Sequence, residues 1–193
     1  MREALFSLMT EGEPFLASEV TVAYTVVRER ETFPNNGSLP LLVYRDALRP
    51  ADMDPAGVFV ALFASNGWGG AWLNGVYDYH HYHSTAHEVL GVVSGSARLR
   101  FGGPGGPIFA VGRGDVVVIP AGVSHKNLGG EPGFQVVGAY PDGQVWDLGF
   151  GKPGERPDAD RNIAAVDLPR ADPLYGVEGP LNSLWSETEL PGQ

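Results

Sequence analysis

Between residues 72 and 140 the chain is a series of short apolar runs cut by glycine: "EVLGVVSG", "ARLRFGG", "PIFAVGRG", "DVVVIPAG" and "FQVVGAY". Turn signals at about every 8–12 residues are the rhythm of an all-β sandwich or barrel. No full-length internal repeat is visible, so the pattern predicts one barrel. Upstream, "EVTVAYTVV" (19–27) is β-branched and aromatic and reads as a strand. "FPNNGSLPLLVYR" (33–45) ends in a short apolar strand, and Pro34 and Pro40 mark it as an edge or connecting segment.

One helix is predicted, over about 55–65. Asp54 suits the N-cap, Pro55 the first helical position and Asn66-Gly67 the end. Val58, Phe59, Leu62 and Phe63 then share a face that packs on a sheet. From residue 151, "GKPGERPDADRN" is polar and proline-rich and reads as a linker. Leu174, Tyr175, Leu181, Leu184 and Trp185 follow it, available to dock the C-terminus or to contact a second copy. The pattern divides the chain into an N-terminal extension (1–69), a barrel (70–145) and a C-terminal arm (146–193).

Composition narrows the function. The formal net charge is −10, so nucleic acid and anionic membrane surfaces lack the basic footprint they require. There is no cysteine, which excludes disulfides, thiolate catalysis and cysteine–zinc sites. No apolar run approaches the length of a membrane span. The start, "MREALFSLMTEGEP", has too short an apolar run for a signal peptide. The expected location is the cytoplasm.

Four of the five histidines lie in "YHHYHSTAHE" (79–88), and the fifth is His125. On a strand His81 and His83 share a face with Tyr77 and Tyr79, while His80 and Tyr82 point the other way. Glu88 opens the next strand, and the turn at Pro120 and Gly122 can bring His125 back beside the first. Three imidazoles and one carboxylate suit a divalent transition metal such as iron, manganese, zinc, nickel or copper.

These residues carry a resemblance. The stretch from Gly75 to Gly95 resembles the first signature of the cupin superfamily, with Gly75, His81, His83, Glu88 and Gly95 on its fixed positions. Gly114, Pro120, Gly122 and His125 match the second signature. Gly129 stands where that signature has asparagine, and the nearest asparagine is Asn127. "WLNGVYDYHHYHSTAHEVLGVVSGSARLRFGG", "GDVVVIPAGVSHK" and "VVGAYP" are further similar to the YjlB-like group of bacterial cupins, from about residue 33 onward. The resemblance implies an all-β fold, a single double-stranded β-helix or jelly-roll barrel, to which the N-terminal extension adds the helix read above. It implies metal ligation by His81, His83, Glu88 and His125, and a homodimer paired through its sheets.

Other residues have competing readings. His83 and His87 are spaced i, i+4 as on a zinc-binding helix, but the flanks are strand-like and Ser84 stands where that motif has glutamate. His87 and His80 are therefore expected to support ligands or make surface contacts. Tyr77 and Tyr79 either pack or donate hydrogen bonds to substrate. Leu99 and Phe101 are expected inside, with Arg98 and Arg100 in solvent. "GGPGGP" (102–107) lacks the lysine of a phosphate loop and reads as a hairpin. Three functions compete: a metal-dependent enzyme of oxygenase or isomerase type acting on a small polar metabolite, a non-catalytic protein that binds or senses a small ligand through its metal, or a structural protein stabilised by a metal in a closed site.

Overall fold

The structure, a computed structural model, describes residues 1–10, 15–49 and 54–186. Its strands are β1 (Arg2–Ser7), β2 (Glu19–Val27), β3 (Asn36–Arg45), β4 (Trp68–Asn74), β5 (Glu88–Ser94), β6 (Ser96–Phe101), β7 (Ile108–Gly112), β8 (Val116–Ile119), β9 (His125–Gly130) and β10 (Gln135–Pro141). The helices are α1 (Pro55–Ser65), α2 (Asp158–Ala165) and α3 (Pro180–Ser186). A seven-stranded sheet runs β1-β2-β3-β8-β5-β10-β4, and a three-stranded sheet runs β7-β6-β9. Every pairing is antiparallel. The two sheets face each other as a jelly roll.

Alternation along the strands assigns each side chain to one of two cores. Leu41, Val43, Leu90, Val92, Val117 and Val136 of the large sheet meet Leu99, Phe101, Phe109 and Val111 of the small one. The intervening positions, Leu42, Tyr44, Val89, Val116, Val118 and Val137, face outward yet are equally buried. Phe59, Leu62 and Phe63 of α1 cover them, together with Leu174, Leu181 and Trp185 of the C-terminal arm. A sheet covered on both faces accounts for unbroken runs such as "LLVY" and "VVVI", where one-sided burial would alternate apolar with polar. Each such aliphatic side chain contributes about 1.5–3 kcal/mol on burial. Among them, Leu99 and Phe101 point inward as expected, leaving Arg98 exposed and Arg100 partly so.

The predicted helix is present: the Asp54 carboxylate caps it by accepting from the N–H groups of Ala56 and Gly57. Two expectations are corrected. Residues 36–45 form a central strand rather than an edge, because β3 pairs with β2 on one side and β8 on the other. Pro40 is tolerated because β8 pairs only with Leu42, Val43 and Tyr44, so the missing N–H breaks no bond on that side. The register with β2 is irregular next to the proline, between Val26 and Val27. The linker assigned from residue 151 contains α2, whose first turn carries Asp158 and Asp160 at the positive end of the helix dipole. Arg156 ties this segment down by bonding Glu29 and Asp160. Strands β1, β4 and β9 were not marked by the apolar pattern. No helix is long and apolar enough to cross a membrane, among the described residues.

Candidate metal centre

The site lies where β5, β9 and the irregular stretch before β5 meet. Glu88 opens β5 and His125 opens β9. His81 reaches the site through a reciprocal bridge to His125: His81 N–H donates to His125 O at 3.2 Å, and His125 N–H to His81 O at 2.8 Å. Tyr82 makes the same exchange with Gly149 at 2.9 and 2.8 Å. These bridges hold 81–83 extended, so His81 and His83 point inward while Tyr82 joins Phe33 and Ala159 on the other side. The carbonyl of His83 accepts from Gly122 N–H at 2.7 Å. Gly122 sits at φ +88°, and a Cβ there would lie 2.6 Å from Asn35 O, so the turn that delivers His125 requires glycine.

Ligand-type atoms of His81, His83 and His125 lie within 4.8 Å of one another, and all three residues are buried. Glu88 adjoins them, with Oε2 3.2 Å from His125 Nε2 and Oε1 3.6 Å from His83 Nε2. Each imidazole has its Nδ1 against a backbone carbonyl: Tyr79 O for His81 at 3.1 Å, Val123 O for His125 at 3.3 Å, and Asp147 O for His83. Carbonyls only accept, so the hydrogen-bond network assigns the proton to Nδ1 and leaves each Nε2 lone pair directed into the site. Glu88 Oε1 accepts from the Tyr140 hydroxyl at 3.0 Å. Its Oε2 is buried without a hydrogen-bond partner.

Burial and mutual contact set the charges of these groups. Burial, reinforced by the His125 imidazole, pulls His81 down to about 3, so it is neutral at physiological pH. Burial also works against charge on His83, but the Glu88 carboxylate outweighs it and raises His83. Burial alone would raise Glu88; His83 and His125 beside it instead hold it below the usual carboxylate range. Tyr140 is raised, first by burial and then by the Glu88 charge, and so stays a hydrogen-bond donor.

A pocket of about 220 Å³ opens onto this cluster, with Trp72, Leu90, Tyr140 and Trp146 among its walls. Tyr77 and Tyr79 stack on each other with centroids 4.8 Å apart and cover the edge of His81 at 5.0 and 5.7 Å. Tyr77 lines the pocket; Tyr79 leans toward Phe150 at 6.0 Å. The structure does not bring His80 or His87 into the cluster. His80 packs on Phe33 at 5.5 Å with Ser124 Oγ 3.4 Å from its Nδ1. His87 is fully buried on the far side of β5, where its Nδ1 accepts from Ala121 N–H at 2.9 Å and its ring lies 4.8 Å from that of Trp185. A larger open cleft of about 930 Å³, between 141–145 and 162–170, contains none of the clustered histidines.

Sequence reasoning missed Tyr140, Trp72, Trp146 and Asp147. Tyr140 had a signal, since it shares inward parity with Val136 and Gly138 along β10. Gly138 is where the Trp72 indole lies flat: a Cβ there would sit 2.1 Å from Trp72 Cζ2. The indole N–H in turn donates to the Tyr140 hydroxyl at 3.1 Å. Asp147 had no signal, because its partners at residues 83–85 lie far away along the chain. Its carbonyl orients His83 while its carboxylate accepts from the Ser84 and Thr85 N–H groups and the Ser84 hydroxyl.

Comparison with known proteins agrees with this geometry. The family model described as Cupin matches residues 75–143, which span from the first histidines to the end of β10. An uncharacterised protein of Bacillus subtilis (strain 168), YjlB, is 42% identical over 152 residues, covering 79% of this chain and 89% of that protein. Solved structures are more distant. A mutant of Bacillus subtilis oxalate decarboxylase OxdC is 19% identical with a TM-score of 0.32, and the match covers 68% of this chain but only 27% of that one. The DMSP lyase DddQ from Ruegeria pomeroyi is 17% identical with a TM-score of 0.34, covering 79% and 62%. Procruciferin, an 11S globulin of Brassica napus, is 13% identical with a TM-score of 0.35, covering 80% and 37%. Likeness that loose, shared by enzymes and a globulin, says nothing of this chain's chemistry. The close relative and the family match do decide kinship: the chain belongs to the cupin superfamily, within its YjlB-like group.

Proposed function

We propose that this chain is a metal-dependent enzyme of oxygenase or isomerase type acting on a small polar metabolite, with His81, His83, Glu88 and His125 holding one divalent transition metal. The observation that carries the reading is the pair formed by Glu88 Oε2 and His125 Nε2. Two lone-pair atoms lie 3.2 Å apart in a buried place, one of them without a hydrogen-bond donor. Such an arrangement is costly unless a cation joins them. Adjacent ligands at about 2.1 Å from one ion and at right angles to each other stand about 3.0 Å apart, so the spacing fits. The Glu88 carboxylate also raises His83, so a metal ion competes with a proton at that imidazole.

A bound divalent ion would supply Lewis-acid or redox chemistry at positions left open to substrate. The chain's own contributions are separate. The three backbone carbonyls fix the imidazole orientations, Tyr140 fixes the carboxylate, and the aromatic walls limit water. Tyr77, at the rim, is placed to donate a hydrogen bond to a bound oxygen, with Tyr79 stacked behind it. A cytoplasmic homodimer belongs to the same reading. The C-terminal apolar residues pack on their own chain, so its means would be the outer edge of β1, where Leu5 is exposed. Light scattering at micromolar concentration reads the dimer as twice the chain mass.

The test of the site is metal analysis of protein purified without added metal. About one equivalent of metal is expected in the wild type, with most of it lost in His83→Ala and His125→Ala but retained in His80→Ala. Equal content in wild type and His125→Ala would overturn the ligand assignment. Reconstitution with iron(II), manganese or zinc, followed by a screen of small chelating metabolites for oxygen uptake and product, tests the enzyme. Metal-dependent binding without turnover would make the protein a ligand sensor.

A further inference from the structure

The walls of the metal pocket carry an inference about what enters it. Beyond the histidines and Glu88, its surface is made by Trp72, Val76, Tyr77, Leu90 and Trp146, with Tyr140 beside Glu88. The polar atoms on those walls are largely engaged. The Trp72 N–H is given to Tyr140, the Tyr140 hydroxyl is given to Glu88, and the one amide at the mouth, Asn74, turns its Oδ1 to the N–H of Gly75 at 2.8 Å. No lysine or arginine lines the pocket among the described residues. Residues 11–14, 50–53 and 187–193 contain no lysine, arginine or histidine either.

We infer that the ligand of this pocket has one anionic, chelating end and an uncharged, apolar remainder, as in a short 2-oxo or 2-hydroxy acid with an aliphatic tail. This rests on the metal reading above. A divalent ion held by three neutral imidazoles and one carboxylate keeps one net positive charge, enough for one anionic head group. A second carboxylate or a phosphate would enter an aromatic and aliphatic wall with no counter-charge, which is strongly unfavourable for a desolvated ion. The chain's net charge of −10 repels polyanions as well. Size adds a limit, because about 220 Å³ lies below the roughly 300–1,000 Å³ typical of pockets for drug-sized ligands. It corresponds to the room of about seven water molecules at about 30 Å³ each. The tail is therefore short, and Trp146 and Trp72 are the surfaces it covers.

The test uses zinc-loaded full-length protein, with zinc content measured first, and isothermal titration of two acids of similar size. 4-Methyl-2-oxopentanoate ends in an aliphatic branch, and 2-oxoglutarate ends in a second carboxylate. The first is expected to bind at least tenfold more tightly than the second. Trp146→Lys, on an exposed loop, should keep its zinc and reverse the preference by placing a cation in the wall. If zinc is not taken up, the metal reading and this inference both fall. If zinc is taken up but 2-oxoglutarate binds as well or better, or neither acid binds at millimolar concentration, only the apolar-tail assignment is overturned. An unchanged preference in zinc-loaded Trp146→Lys would overturn the placement of the tail.

Discussion

Glu88 and Asp172 are buried carboxylates on opposite faces of the same sheet, and they are treated in opposite ways. Asp172, on the C-terminal arm, accepts from four donors: the N–H groups of Leu174 and Tyr175 on Oδ1, and the Tyr44 hydroxyl and Leu181 N–H on Oδ2. Glu88 accepts from one hydroxyl and leaves an oxygen bare among imidazoles. Burial raises Asp172 despite its donors, which are all neutral dipoles. The imidazoles lower Glu88 against the same burial. A carboxylate saturated by neutral donors ties chain to chain. One left short of donors beside basic groups is, in the function proposed above, a ligand for a cation. The same residue chemistry thus separates a structural knot from the proposed metal centre.

The largest expected effect breaks the knot. Asp172→Ala strands three backbone N–H groups and the Tyr44 hydroxyl in the core, at about 1–3 kcal/mol for each group left unsatisfied. With partial relaxation the loss should be about 4 kcal/mol of unfolding free energy in urea titrations. Asp172→Asn keeps Oδ1 and should lose less. Zinc bound per folded molecule should not change in either variant. A metal deficit in folded Asp172→Asn would mean the two regions are coupled through the sheet.

Acid should reveal the other region almost as strongly. In the metal-free protein His81 is depressed to about 3 by burial and His125, and His87 to about 4 by burial. The unfolded chain binds those protons near pH 6.5 and the native state does not, so stability falls as pH drops from about 6.5 toward 4. His83 is raised and acts in reverse: its contribution is full below about 6.5 and fades as pH rises through its folded value. Asp172, also raised, opposes the acid loss. The two depressed histidines, joined at the acid end by Glu88, which is also held low, outweigh these, so the melting temperature should fall between pH 6.5 and 4.5. A flat profile over that range would contradict the burial of His81 and His87.

How far each region was legible in the chain follows from the same contrast. The quartet His81, His83, Glu88 and His125 stood out because the ligands proposed for a metal are specific residue types at fixed spacing. The knot did not. Asp172 works through backbone donors of residues near it, and Tyr44 belongs to an apolar run that reads only as strand. The Pro40 reading failed for a related reason: whether a strand is central depends on which partner arrives from far along the chain, here β8, and how far that partner extends. "GKPGERPDADRN" read as a linker because composition registers its prolines, while α2 begins only beyond Pro157, with its polar side chains meeting ion-pair partners. Tyr140 was legible by parity alone, but nothing in the sequence marked Glu88 as its acceptor.

A third substitution sharpens the comparison from the functional side. Glu88→Gln removes the bare, charged oxygen and keeps the shape. Metal-free stability should stay within about 1 kcal/mol of wild type, since loss of the His83 partner is offset by removal of a buried charge. Zinc affinity should fall about 100-fold, or about 2.7 kcal/mol. Competition with a chromophoric chelator measures it. Destabilisation as large as in Asp172→Ala would erase the distinction between the two carboxylates.

The smallest effect concerns the hydroxyl that stands between the two modes. Tyr140 gives Glu88 its one hydrogen bond and receives one from Trp72, so it resembles the donors around Asp172 while serving the bare carboxylate. By occupying Oε1 at 3.0 Å it leaves Oε2 as the atom that faces His125. Tyr140→Phe keeps the ring against Trp146 and removes only that constraint. The carboxylate is then free to rotate, and the metal must order it again. Partners of this kind are worth about 10–100-fold in metal affinity, and the low end is expected because β5 still fixes the Glu88 backbone. About a tenfold weaker zinc constant, with melting temperature nearly unchanged at neutral pH, is the predicted result. An unchanged constant would show that the strand alone positions Glu88. A large fall in melting temperature would instead place Tyr140 with Asp172, as part of the structure rather than of the site.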